Sequence, residues 1–218
     1  MSVFRGVSGT EVSVGAALAP GWWLVRLPEQ GCDRPLVVAG PFPDRAEADW
    51  SALGQGLDLA VGVRAMYGTS RSDGTLARGT SPQELAWLAH LGEQLDRLGD
   101  DWDDVLSDTD PLTTLVVELT AALVEAGLAV HDCAGRGEGA PEAGGVCLTP
   151  APDRTGVVAT WRQHDRMSVE QVRGAVAEAA VQDAMNRAVA EVLAVLGYPV
   201  EPFPGGSGLL VRSEDAAA

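Results

Sequence analysis

Between positions 131 and 150 the chain reads HDCAGRGEGAPEAGGVCLTP, which sets His131, Cys133 and Cys147 around a run of glycines, with His164 and Asp165 further on. Two thiols and two imidazoles are the soft ligands that zinc takes. Structural zinc sites place paired ligands a few residues apart on tight knuckles, whereas Cys147 stands alone and His164 belongs to a later segment, so the spacing argues against a metal. A thiol-dependent enzyme is the second chemistry, with Cys147 as nucleophile, His164 as base and Asp165 as the acid that orients it. A zinc deaminase is excluded by motif, because HDC lacks the glutamate of H-x-E and no P-C-x-x-C follows. A phosphate loop is the third, but GRGEGAPEAGG leads into a strand and not a helix, and Glu138 and Glu142 would repel an anion. The preferred reading is a pair of buried cysteines flanking a hairpin turn between the strands LAVHDC and GVCLTP. Intracellular redox conditions weigh against a Cys133–Cys147 disulfide. No catalytic residue, metal or cofactor is expected from these residues.

The other cluster that could do chemistry is DDWDDVLSDTD, where Asp100, Asp101, Asp103 and Asp104 surround Trp102. An EF-hand needs a central glycine and a glutamate at its twelfth position, and neither is found from Asp100 onward. The segment reads as a short acidic helix or turn, one side packing through its apolar residues and the other facing water or a basic partner. These five residues are the candidate docking site.

The whole chain repeats that charge: 31 acidic against 15 basic residues give a net charge of −16 over 218 residues. Such a charge repels a nucleic-acid backbone, so direct nucleic-acid binding is disfavoured. It suits solubility, docking on a basic protein, or imitation of DNA. No apolar run approaches the length that spans a bilayer. Glu11 and several Ser and Gly residues interrupt any signal-peptide core, and three scattered cysteines are too few for a secreted framework, so a cytoplasmic location is expected.

The elements that must position these residues make an α+β chain of two halves, each an antiparallel sheet packed with amphipathic helices. Residues 1–20 are expected to be loose. Residues 21–99 read as a ββαβ-α half: GWWLVRLP and RPLVVAG form a hairpin, DRAEADWSALGQG is a helix capped by Asp44, and LAVGVRAMYG is a strand. The first helix should bury Ala46, Trp50 and Leu53; packing of Trp22 and Trp23 under that helix is the preferred reading, and an outward-facing one would be a partner anchor. SPQELAWLAHLGEQLDRLGD is a helix capped by Ser81 whose leucines 85, 88, 91, 95 and 98 line one face.

Residues 100–110 then serve as an acidic connector. Residues 111–213 read as α-βββ-α-ββ, with a stripe of Leu112, Leu115, Val116, Leu119 and Leu123 on the first helix. The second helix follows Ser168, with Val181, Met185, Ala188, Val189, Val192 and Leu196 on its apolar face. YPVEPF and GLLVRS close the fold as a hairpin, whose exposed edge would permit homodimerisation by strand addition. Residues 214–218 are a tail.

GWWLVRLPEQG, GPFPDRAEADW and AMNRAVAEVLAVLGYPVEPF together resemble small acidic proteins of actinomycete genomes, including those on integrated plasmids, for which no activity is assigned. VVAGPFPDRAEADW alone is similar to the turn and following helix of SPOR-type peptidoglycan-binding domains. The function expected from the residues is non-enzymatic: an intracellular interaction or accessory protein. A DNA-mimicking inhibitor and the Cys147/His164/Asp165 enzyme are the alternatives.

Overall fold

A computed structural model describes residues 19–27, 35–57, 62–105, 109–135 and 143–212. Cys32, Glu138, Glu142, the glycine run 136–142, most of the N-terminal segment and the tail lie outside the described residues. The fold is α+β, with two four-stranded antiparallel sheets and their helices. The chain divides into two compact units, Met1–Ala86 and Trp87–Ala218. No helix among the described residues is long and apolar enough to cross a membrane.

The first unit holds β1 (Gly21–Arg26), β2 (Leu36–Phe42), β3 (Val63–Ser70) and β4 (Leu76–Arg78) in the order β2-β1-β3-β4, with α1 (Arg45–Gly54) between β2 and β3. Asp44 caps α1 as expected, its Oδ1 accepting the Glu47 N–H at 2.8 Å. The buried face is not the expected one, however. Ala48 and Ala52 lie against the sheet, while Ala46, Trp50 and Leu53 face out. Trp22 supplies the bulk there, packed edge-on to Tyr67 with Leu24 and Val63 beside it, so the helix approaches through its smallest residues. Trp23 points to the other face, with Val25 and Leu76, and donates its indole N–H to Gly68 O at 3.0 Å. Neither Trp22 nor Trp23 is therefore an exposed anchor. Gly40 is required where β2 crosses this pair: at φ +127° a Cβ would stand 2.8 Å from Trp23 Cε3.

The division between units falls within α2 (Pro82–Leu95), capped by Ser81 Oγ on the Glu84 N–H. Only the C-terminal end of its leucine stripe reaches a core, through Leu95 and Leu98; Leu85 and Leu88 are exposed.

The second unit holds α3 (Pro111–Glu125), β5 (Gly145–Pro150), β6 (Gly156–Arg162), the short α4 (Asp165–Ser168), α5 (Ala175–Val195), β7 (Val200–Pro202) and β8 (Leu209–Arg212), with sheet order β5-β6-β8-β7. Its core joins Trp102, Leu115, Val116, Leu119 and Leu123 to Val146, Leu148, Val157, Val189, Leu193 and Val211. The segment expected as a connector at 100–110 thus contributes to this core, which places it inside the unit and not between two halves. On α3 the expected stripe is buried. The same helix also buries Thr120, whose Oγ1 has no hydrogen-bond partner. Because a buried hydroxyl without a partner costs stability, Thr120→Val should gain about 1 kcal/mol, read as a melting temperature roughly 2–4 °C higher.

On α5 the buried line runs through Asn186, Val189 and Leu193, and the expected Ala188 and Leu196 are exposed. The apolar pattern pointed elsewhere because two polar residues carry the inner face. Asn186 Oδ1 accepts the Trp161 N–H at 2.8 Å, its Nδ2 donates to Ser207 O at 2.6 Å, and Gln182 Nε2 donates to Trp161 O.

The expected hairpin between LAVHDC and GVCLTP is not formed. Val130 makes a single parallel bridge to Val146, with His131 N–H on Val146 O and Val146 N–H on Ala129 O. The opposite side of Val130 cannot extend a sheet, since Gln94 Oε1 accepts its N–H and Arg97 Nη1 donates to its carbonyl. Side chains have taken the ladder positions, and the chain turns at Cys133.

Candidate functional site

Along β5, Val146 and Leu148 point into the core, so Cys147 between them faces the other side of the sheet. Its cross-strand partner on β6 is Thr160, and Arg162 lies diagonally beyond on the same face. Cys133 arrives from the turn after Val130, held by its N–H on Arg97 O at 2.9 Å and packed closely against Gly99. The two Sγ atoms are 2.7 Å apart, both free thiols and both partly exposed.

Asp100–Trp102 form a 3-10 turn just after Gly99. Trp102 is buried and donates its indole N–H to Leu148 O at 2.9 Å, which fixes the turn against β5 beside Cys147. Trp102 therefore belongs to the core, and of the five candidate docking residues only Asp100, Asp101, Asp103 and Asp104 are exposed. The acidic cluster and the thiol pair, read separately along the sequence, are neighbours in space.

The pair shares its protons unequally. The hydrogen bond from the Cys133 thiol lowers the pKa of Cys147 from the ordinary thiol value; burial and Asp101 oppose this, and Arg162 assists it. The same hydrogen bond, then burial and the Cys147 charge, push Cys133 well up, so it stays protonated. Arg162 favours the thiolate form of either sulfur, and the β5–β6 register puts it on the face of Cys147.

The two histidines are engaged elsewhere. His131 is buried and donates from Nδ1 to Ala143 O at 3.3 Å. His164 caps α4, its Nδ1 accepting the Arg166 N–H at 3.1 Å, and its backbone lies beside Gly144. Three residues of strand separate that level from Cys147, roughly 10 Å. Asp165 opens α4 beside it. The Cys147/His164/Asp165 constellation is thus not assembled, and among the described residues no three His, Cys, Asp or Glu side chains converge as metal ligands. Sequence reasoning missed Arg162; its only signal is parity with Cys147 once the β5–β6 register is known.

No protein-family model, curated protein or solved structure matches this chain. The function has to be argued from its own surface and chemistry.

Proposed function

We propose that the protein acts without catalysis, by binding a protein partner through the outer face of α1. Trp50 carries this reading: it is 73% exposed, and Leu53, one turn on, is 61% exposed. Among the described residues neither side chain joins a core cluster, and the packed face of α1 is completed by Ala48 and Ala52. Exposed tryptophan on a rigid helix is the residue type that anchors protein interfaces. Glu47 and Asp49 flank the pair, Asp49 within reach of Arg45, and the net charge of −16 would draw a basic partner in from a distance. The exposed carboxylates of Asp100, Asp101, Asp103 and Asp104 add to that field. A turn of this length covers only roughly 10 Å, a short stretch for imitation of a DNA surface, so a docking role is the better supported of the acidic readings.

The test is native mass spectrometry of the protein purified gently from its own host, comparing wild type with a Trp50→Asp, Leu53→Asp variant. The variant should lose at least tenfold in affinity for the co-purified protein, in line with anchor residues worth roughly 2 kcal/mol or more. Its melting temperature should stay close to wild type, because both positions are exposed. A partner retained at full affinity by a folded variant would remove α1 as the contact.

A further inference from the structure

We propose that Cys133 and Cys147 form a reversible thiol–disulfide redox site whose oxidant is a small neutral hydroperoxide. The geometry comes first. An S–S bond is about 2.05 Å long, so sulfurs 2.7 Å apart need to move by less than about 1 Å to join. Cys133 sits on a turn, its backbone held at Arg97, and Cys147 on a strand, so small side-chain rotations supply the movement. Both sulfurs are partly exposed, and a small oxidant can reach them.

The chemistry follows from the unequal pair. The Cys147 thiolate, on the face shared with Arg162, attacks one peroxide oxygen; the O–O bond breaks, the departing hydroxide takes a proton to become water, and Cys147 becomes a sulfenic acid. The Cys133 thiol then attacks the Cys147 sulfur, the S–O bond breaks, and the hydroxyl leaves with the thiol proton as a second water. For hydrogen peroxide the sum is two thiols and one peroxide giving a disulfide and two waters; an alkyl hydroperoxide would give its alcohol in place of the first water. A dithiol reductant reverses it by exchange.

The surroundings select the oxidant. At the sulfurs themselves Arg162 outweighs Asp101 and Asp132, but the approach is acidic, with Asp100, Asp101, Asp103 and Asp104 exposed on the adjoining turn and a net charge of −16 on the chain. This field repels anionic disulfides such as oxidised glutathione and admits uncharged hydrogen peroxide.

The experiment uses the full reduced chain. Hydrogen peroxide is added, remaining thiols are blocked with N-ethylmaleimide, and intact mass and peptide mapping are read. The chain has three cysteines, so the reduced protein takes three adducts. The oxidised protein should take one, on Cys32, with two hydrogen masses lost and the link mapped to Cys133–Cys147. Cys133→Ala should stop at a sulfenic acid on Cys147 that a 1,3-dione traps. The same variant should move the pH of half-maximal Cys147 alkylation upward, since the hydrogen bond that favours the thiolate is gone. Arg162→Gln should slow the peroxide step by roughly threefold to tenfold.

Three adducts after excess peroxide, or a link through Cys32 or between chains, would overturn the site. Faster reaction with oxidised glutathione than with peroxide at low salt would overturn the oxidant. The wild-type mapping decides the first question even where a variant fails to fold.

Discussion

Trp102→Ala is expected to lower stability by about 3–5 kcal/mol, the largest loss at any single position in the second unit. Its indole is 1% exposed, at the junction of the 3-10 turn, β5 and the helical layer. Truncation leaves a cavity that rigid neighbours such as Leu119 and Leu148 cannot fill, and it deprives the Leu148 carbonyl of its indole partner. Trp102→Phe shifts the balance between the two effects, because it keeps most of the volume while losing the N–H and part of the ring; it should cost about 1–2 kcal/mol. Urea unfolding checks both as shifts in midpoint at constant slope. A loss under 1 kcal/mol for the alanine variant would mean that the turn is not anchored as described. The same loss should release Gly99 from Cys133, so the alanine variant should also form the Cys133–Cys147 disulfide less readily.

Asn186→Leu should cost about 2–4 kcal/mol although it places an apolar side chain on a buried face. The reason is that Asn186 serves two backbone groups where the sheet runs out. The β6–β8 pairing ends at Ala159 and Leu209, and beyond it the Trp161 N–H and the Ser207 carbonyl both turn to the Asn186 amide. Leucine leaves both without their side-chain partner. Asn186→Asp tests the same point with opposite bias: it still accepts from Trp161 but cannot donate to Ser207. It should be destabilising at neutral pH and improve as the carboxyl protonates in acid, a trend absent from wild type. Thermal unfolding at several pH values reads this directly. A leucine variant as stable as wild type would show that the amide bridge contributes nothing.

These two positions also mark where sequence was informative and where it was not. The α3 stripe was legible because every buried position but Thr120 is apolar and the period is regular. On α1 a rule that turns the largest apolar residues inward pointed to the wrong face, and on α5 it placed Val189 correctly but missed Asn186 and Leu193 and turned Ala188 and Leu196 in. The bulk against α1 comes from Trp22 across the interface, and the inner face of α5 holds Gln182 and Asn186, whose task is hydrogen bonding to strand ends. The lone asparagine of the chain, set in an alanine- and valine-rich helix, was the available sign.

The candidate site was legible in pieces. Cys133 and Cys147 could be paired on paper, but through an antiparallel hairpin that does not exist. What brings them together is a parallel bridge at Val130 and two side chains more than thirty residues earlier, Gln94 at the end of α2 and Arg97 in the turn after it. No local pattern announces such long-range capture. His164, which the motif logic joined to Cys147, is withdrawn by an equally local event: its ring caps the next helix turn. The acidic residues were recognised as a group, and the burial of Trp102 among them explains why they stand where they do.

The strand orders carry a mechanical consequence. In one sheet β1, the first described strand, lies between β2 and β3; in the other β8, the last, lies between β6 and β7. Traced backward, the second sheet has the connectivity of the first traced forward, an inversion that copying a segment of chain does not produce. Among the described residues, a pull from either direction meets a strand bonded on both sides before it reaches an edge strand of that sheet. Two ladders must rupture together at β1 or at β8, and a threading machine should pause at each.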